Sequence, residues 1–365
     1  MIFIPYIFFV FAFFILLGYG VIILLALHGF RNKTNALSSS KNHDAYLEVI
    51  VAFRNEEKYL PDLLESLNSQ IYRNFHVFFI DDHSTDQSAS LIRAANSNGL
   101  FTIVSNHGVG KKAAIRTGIE ATRADYLVFT DADCRVPATW LTSYAKLFEQ
   151  KADKLIFGWV TYRANSTLQR IFALEFLSLT GVGMGLAGAG KPIYMNGANY
   201  AISRNILQII PVCSGESYAS GDDVFLLHAV EKYLGKRFIT ACPDVKMAVT
   251  THSPSGVWSF LKQRIRWGSK ARSYTNSRAL GVAIIVFSLS LMQIAALVLV
   301  EWWYFAALLW GAKLIIDVLA LWQFQKKSGG SKLLAVMPLL FPVYPFYLLV
   351  ASVGGLFADK QHWLK

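Results

Sequence analysis

Two patterns of hydrophobic and polar positions divide the chain. Residues 3–27 form an apolar run with no charge, longer than the roughly 20 residues that a membrane-crossing helix needs. Its length, and the absence of a basic segment before it, favour a retained span over a cleaved signal peptide. Residues 280–300, 302–324 and 333–357 are similar runs. Pro338, Pro342 and Pro345 punctuate the last one, so a broken or re-entrant helix stands beside a full span as its reading.

Between these runs, short apolar stretches alternate with amphipathic ones. Strands are predicted at 47–53, 75–80, 101–104 and 126–129, and helices at 56–69, 86–96 and 112–122. In the first helix Leu60, Leu63, Leu64 and Leu67 share one face. Such alternation predicts an α/β fold with a parallel sheet joined by right-handed crossovers. Ligands on such sheets bind beyond the carboxyl ends of the strands. The polar residues there are Arg54, Asn55 and Glu56, then Asp81 and Asp82, then Asp131 and Asp133. The expected organisation is a membrane helix over 1–30, an α/β domain over 44–252, an interfacial helix over 253–278 and three membrane helices over 279–358.

Composition sharpens this picture. Of 365 residues 54% are hydrophobic, and the net charge is +11. Arg31, Lys33 and Lys41 follow the first apolar run, Lys270, Arg272 and Arg278 precede the second, and Lys326, Lys327 and Lys332 lie between the third and fourth. The positive-inside rule puts all three groups in the cytoplasm, giving a multi-pass protein of the inner membrane with a cytoplasmic central domain and both termini outside. Basic residues near a bilayer reflect attraction to anionic lipid. No basic patch with interleaved aromatics points to nucleic acid. Cys134, Cys213 and Cys242 are too far apart for metal-ligand pairing and read as reduced thiols, and no histidine motif suggests zinc. Nothing in the pattern speaks to oligomeric state.

Several short motifs carry candidate chemistry. Asp131 and Asp133 flank Ala132 at a strand end, where two carboxylates can hold one hard divalent cation, Mg or Mn, that neutralises a diphosphate; turn-capping is the plainer role for such a pair. Asp82 can accept from a nucleobase N–H, although Ser84, Thr85 and Asp86 make helix capping equally natural there. Lys111 and Lys112 open a helix after a glycine turn, which suits a diphosphate without matching a P-loop. Gly221-Asp222-Asp223 precedes a helical pattern and offers either an N-cap or a general base. In Gln263-Arg264-Ile265-Arg266-Trp267 the first, fourth and fifth residues share a helix face. Arg266 could there bind a leaving diphosphate and Trp267 stack on a sugar; a basic interfacial helix is the simpler reading.

Taken in order, these residues resemble glycosyltransferase family 2, with its GT-A fold, in the membrane-integrated branch that includes cellulose, hyaluronan and poly-N-acetylglucosamine synthases and ceramide glucosyltransferases. The likeness covers about residues 47–267. The resemblance implies a GT-A nucleotide-diphospho-sugar transferase domain, a mostly parallel mixed sheet flanked by helices, with membrane helices at both ends. It gives Arg54, Glu56, Asp82, Lys111 and Asp131 to the donor nucleotide, and Asp131 and Asp133 to the metal. Asn196 and Gly197, in Met195-Asn196-Gly197-Ala198-Asn199, fall to the acceptor side, with Gln263, Arg266 and Trp267 on the diphosphate or acceptor. Asp223 matches the catalytic base, and Asp222 stands where relatives more often have Glu. The implied reaction is inverting transfer from a nucleotide-diphosphate sugar, a UDP-sugar being expected, to a lipid, lipid-linked or glycan acceptor. Two other readings stand beside it. In a haloacid-dehalogenase-like phosphotransferase, Arg135 would occupy the position of a Thr or Val; a non-catalytic membrane scaffold or export component would have no need of the three carboxylate sites.

Overall fold

The structure is a computed structural model and describes residues 3–31, 44–150, 153–210, 222–269, 276–298, 302–329 and 332–358. Lys33, Lys41, Cys213, Gly221, Lys270 and Arg272, singled out above, lie outside the described residues.

A first helix, α1 (Phe3–Arg31), leads into alternating elements: β1 (Leu47–Phe53), α2 (Leu60–Asn68), β2 (Phe75–Asp81), α3 (Ser88–Ala95), β3 (Phe101–Ser105), α4 (Lys111–Ala121) and β4 (Tyr126–Phe129). After α5 (Trp140–Gln150) come β5 (Leu155–Gly158), β6 (Val160–Arg163), the long α6 (Thr167–Gly188), β7 (Tyr200–Ser203) and α7 (Arg204–Ile209). The chain continues through α8 (Asp222–Tyr233), β8 (Ile239–Cys242), β9 (Val249–His252), α9 (Val257–Ser269), α10 (Ser277–Val298), α11 (Trp303–Ser328) and α12 (Met337–Phe357).

The main sheet has the order β3-β2-β1-β4-β7-β5-β8, with β6 and β9 paired separately. Strands β1 to β4 run parallel to one another, whereas β7 runs antiparallel to both β4 and β5. The expected strands are all present, and the sheet is mixed because of β7. Near-continuous Val, Ile and Phe in β1 reflect burial on both faces.

One helix boundary differs from its expectation. The helix predicted from residue 56 begins at Leu60, behind Pro61. The N–H groups of Asn55, Glu56 and Glu57 are instead taken by Ser84 Oγ, Ser88 Oγ and Asp86 Oδ2 of the loop after β2. The loops after β1 and β2 are thereby sewn together at the carboxyl edge of the sheet.

Among the described residues five helices are long and apolar enough to cross a membrane. Four are the expected ones. Pro342 and Pro345 lie inside α12 without ending it, so the broken-helix alternative is not what forms. The fifth, α6, escaped the sequence pattern because Arg170, Glu175 and a run of glycines interrupt its apolar stretch. Its apolar window is 72% buried, against 17% to 28% in the other four, so protein rather than solvent or lipid encloses it.

Helices α1 and α6 cross with backbones nearly touching. A Cβ on Gly29 would lie 1.9 Å from the carbonyl oxygen of Gly185, and one on Gly185 would lie 2.4 Å from that of Ala26. Only glycine permits this approach. The contact joins the first apolar helix to the domain core, where Phe30 stacks on buried Trp159 with ring centroids 5.8 Å apart.

Candidate active site

A pocket of about 440 Å³ opens at the carboxyl ends of β1 and β4 and is closed on its far side by α6, α8 and α9. It brings together Lys111, Asp131, Asp133, Asn196, Gly197, Asp223, Gln263, Arg266 and Trp267 from five separate segments. Arg54, Glu56 and Asp82 stand around this lining rather than in it. Asp222 opens α8, and its side chain lies outside the described residues.

The carboxylates of Asp131 and Asp133 follow β4 directly. Asp133 Oδ2 accepts from Thr251 Oγ1 at 2.9 Å. Burial first, and then the charge of Asp131, hold the Asp133 carboxyl above its usual range. Glu56 feels the same cluster. Burial, Asp133 and Asp131 push its pKa to about 7, against the opposing pull of Lys111. No group of three or more potential ligands comes together among the described residues. Asp131 and Asp133 are the two carboxylates of one strand end that line the pocket, and their oxygen donors would suit a hard cation such as Mg or Mn.

Lys111 was expected on a diphosphate. Its ammonium lies 2.5 Å from Asp131 Oδ1. Burial pulls its pKa down, but the charge and hydrogen bond of Asp131 more than offset this and hold it above the ordinary lysine value. Lys111 thus sits beside the carboxylate pair and can reach an anion only by sharing or releasing Asp131. The turn before it is fixed by Asp82. Gly110, at φ 91°, donates its N–H to both Asp82 oxygens at 2.8 and 3.0 Å, and Asn106 Nδ2 donates to Oδ1 at 2.7 Å. At 5% exposure, Asp82 shapes the loop ahead of α4, and a nucleobase would have to share a carboxylate already so engaged. Arg54 lies 3.9 Å from Asp82 with its side chain half exposed.

The Met195–Asn199 loop supplies the opposite wall. Asn199, fully buried, accepts from Trp140 Nε1 and Tyr144 Oη at 2.8 Å, and donates to the Trp159 and Met247 carbonyls at 2.7 Å. All its polar capacity is used, which pins the loop. Gly197 N–H, two residues before, donates to Asp223 Oδ2 at 2.8 Å. Asp223 therefore faces the pocket from the first turn of α8.

On α9, Gln263, Arg266 and Trp267 all line the pocket, as one helical face predicts. Among the described residues the Arg266 side chain makes no ion pair. Burial lowers its pKa, opposed by Tyr162, Asp131 and Asp223. The intervening Arg264 points the other way into a buried pair with Glu175, both side chains at most 7% exposed, and Tyr347 Oη donates to Glu175 at 2.8 Å. The Arg264 guanidinium also covers one face of Trp267, 4.4 Å from its ring centroid. Trp267 has only its other face to offer a sugar.

Sequence reasoning missed Tyr162, Tyr194, Thr251 and His252 in the lining and Glu175 behind it. Thr251 and His252 end β9, so a strand-end rule applied further along the chain would have found them. Isolated tyrosines, and a glutamate within an apolar helix, carry no comparable signal.

The family model described as Glycosyl transferase family 2 matches residues 48–217. Among curated relatives, an undecaprenyl-phosphate 4-deoxy-4-formamido-L-arabinose transferase of Pseudomonas fluorescens is 32% identical over 98 residues, 25% of this chain and 29% of that protein. Its namesake from Pseudomonas syringae pv. syringae is 25% identical over 224 residues, 56% of this chain and 66% of that one. The chain thus spans between under a third and two thirds of the length of these relatives. Among solved structures, a mannosyltransferase from Pyrobaculum calidifontis in complex with GDP-Man and Mn2+ shares the fold at 17% identity and TM-score 0.58, covering 96% of this chain and 99% of that one.

Proposed function

We propose, for a chain whose residues 48–217 match glycosyl transferase family 2 and whose sheet has the GT-A fold, inverting transfer of a sugar from a nucleotide-diphosphate sugar to a membrane-lipid acceptor. The observation that carries this reading is the convergence on one pocket of Asp131, Asp133, Asp223 and the half-buried Arg266, which makes no ion pair among the described residues.

In this reading the donor lies along the carboxyl edge of the sheet, with Arg54 and Asp82 toward the nucleotide. Asp131 and Asp133 would hold a divalent cation, which supplies positive charge to the leaving diphosphate. Arg266 faces the same leaving group and gains a counterion as negative charge develops, a preference for the transition state over the ground state. Asp223 takes the proton of the acceptor's attacking O–H, that of a hydroxyl or of a singly protonated phosphate, and that oxygen attacks the anomeric carbon from the face opposite the diphosphate. Asn196 and Gly197 position the acceptor, and Gln263, held by Tyr162 Oη at 2.8 Å, fixes the α9 side of the pocket.

A lipid acceptor is supported by α1, α10, α11 and α12, which among the described residues are long, apolar and largely unburied, and the curated relatives are named for transfer to undecaprenyl phosphate. The donor is expected to be a UDP-sugar. This reading puts the reaction at the cytoplasmic membrane face, an orientation that the basic groups flanking the apolar runs support. A donor screen with purified full-length protein, read by released nucleoside diphosphate and by sugar recovered in lipid, tests the reading. Release and transfer with one nucleotide sugar are expected, both lost in Asp133→Ala. Unchanged release in that variant would overturn it.

A further inference from the structure

A second cavity, of about 350 Å³, lies among α1, α6, α9, α10, α11 and α12. It shares Leu179, Tyr194, Trp267 and Gly268 with the catalytic pocket, so the two spaces meet at this threshold. Its volume corresponds to about a dozen water-sized groups of ~30 Å³ each.

Its charged groups are already matched. Near the threshold, Arg264 is paired with Glu175. Deeper, on α11, Lys313 is paired with Asp317 and surrounded by the rings of Tyr19, Phe341 and Tyr344, while Tyr19 Oη donates to Asp317 at 2.6 Å. Among the described residues, the cations lining the chamber are thus already paired. Beyond these pairs the walls are largely aliphatic and aromatic, among them Val282, Val286 and Leu340. By contrast, Arg266, which makes no ion pair among the described residues, lines the catalytic pocket and not the chamber. The two spaces thus suit the two halves of an amphiphile.

We propose that this chamber is the binding site for an apolar chain of the acceptor lipid, whose polar head crosses the Trp267–Tyr194 threshold to reach Asp223. The inference rests on the lipid-acceptor reading above and adds the place of the chain. Trp267, with one face against Arg264, forms part of the gate between head and chain. Lys313 and Asp317 tie α11 to α1 through Tyr19 and close the deep end as a neutral unit.

The test uses the full-length protein in bilayer nanodiscs with geranyl, farnesyl and undecaprenyl phosphate as acceptor probes. KM is expected to fall with chain length in the wild type. Val286→Trp, which fills the chamber, is expected to raise the KM ratio of undecaprenyl over geranyl phosphate by about tenfold or more, the scale of altered apolar contacts in a pocket. An unchanged ratio would overturn the proposal. Wild-type protein that transfers to none of the probes while releasing nucleoside diphosphate would count against the acceptor reading instead. Independently of activity and of the variant's folding, a photoreactive group at the chain end of a farnesyl phosphate should label Val282, Val286 or Leu340 in wild-type protein. Labelling confined to outward-facing Ile284 and Leu291 would place the chain in bulk lipid and overturn the chamber.

Discussion

The carboxylate of Asp223 is held by the backbone at both oxygens: Gly197 N–H donates to Oδ2 at 2.8 Å, and Val224 N–H donates to Oδ1 at 2.9 Å. The first bond comes from the Met195–Asn199 loop and the second from the residue's own helix. A carboxylate so fixed cannot swing, and each oxygen keeps a lone pair for another donor.

Asp223→Asn should therefore preserve donor binding and cut transfer by about 100-fold or more, the scale of a lost general base. Asp222→Asn should do less. Single-turnover transfer alongside nucleotide-binding titration separates the two effects. Normal transfer in Asp223→Asn with a dead Asp222→Asn would reverse the roles.

Activity should require Mg2+ or Mn2+. Asp133→Ala should lose nearly all turnover while circular dichroism shows intact helix content, because Asp133 lies at a strand end rather than within the packed sheet. Full turnover in excess EDTA would show that the carboxylate pair serves another purpose.

Glu56 gives a pH signature. With its pKa raised to about 7, it carries a proton in mildly acidic solution whose release a cation at the neighbouring Asp131 and Asp133 would favour. Apparent Mn2+ affinity should thus rise with pH through about 7, and Glu56→Gln should flatten that rise. The sign for stability is opposite: the folded state binds this proton more tightly than the unfolded state does. Its contribution is complete below the unfolded glutamate value and disappears as pH climbs through 7. Isothermal titration and thermal melts across this range check both.

Asn199→Leu would strip partners from two buried donors and two buried carbonyls. At about 1–3 kcal/mol for each group left unmet, the loss should be on the order of 4 kcal/mol or more, visible as a lowered unfolding midpoint in detergent. A midpoint near wild type would mean that water replaces the amide.

Orientation can be tested on α11, whose ends should lie on opposite sides of the bilayer. A cysteine at Trp303 should react with an impermeant reagent outside intact cells, and one at Lys327 should not. The reverse pattern would put the catalytic pocket away from cytoplasmic nucleotide sugars.

Much of this architecture was legible because its signals are local. The run Leu47–Phe53 is buried on both faces and reads as a strand without help, and the strand-end rule pointed to Asp131 and Asp133. Other features depend on distant partners. Asp82 looks free in sequence, but the Gly110 turn, 28 residues later, claims it. Arg264 differs from Arg266 only by which side of α9 it occupies, and Glu175, 89 residues earlier, decides which becomes structural. Helix α6 was illegible for a related reason. Its glycines look like interruptions until α1 is laid across them.

That crossing has a consequence for biosynthesis. Gly29 leaves the ribosome long before Gly185, the residue whose carbonyl it must almost touch. At about 5–20 residues per second, some 8–30 s separate the two. Over that interval an α1 inserted ahead of its partners would carry a bare glycine notch, open to any small-residue helix nearby. Completion of α6 covers the notch, and α10 and α11, which also pack on α1, follow later in synthesis.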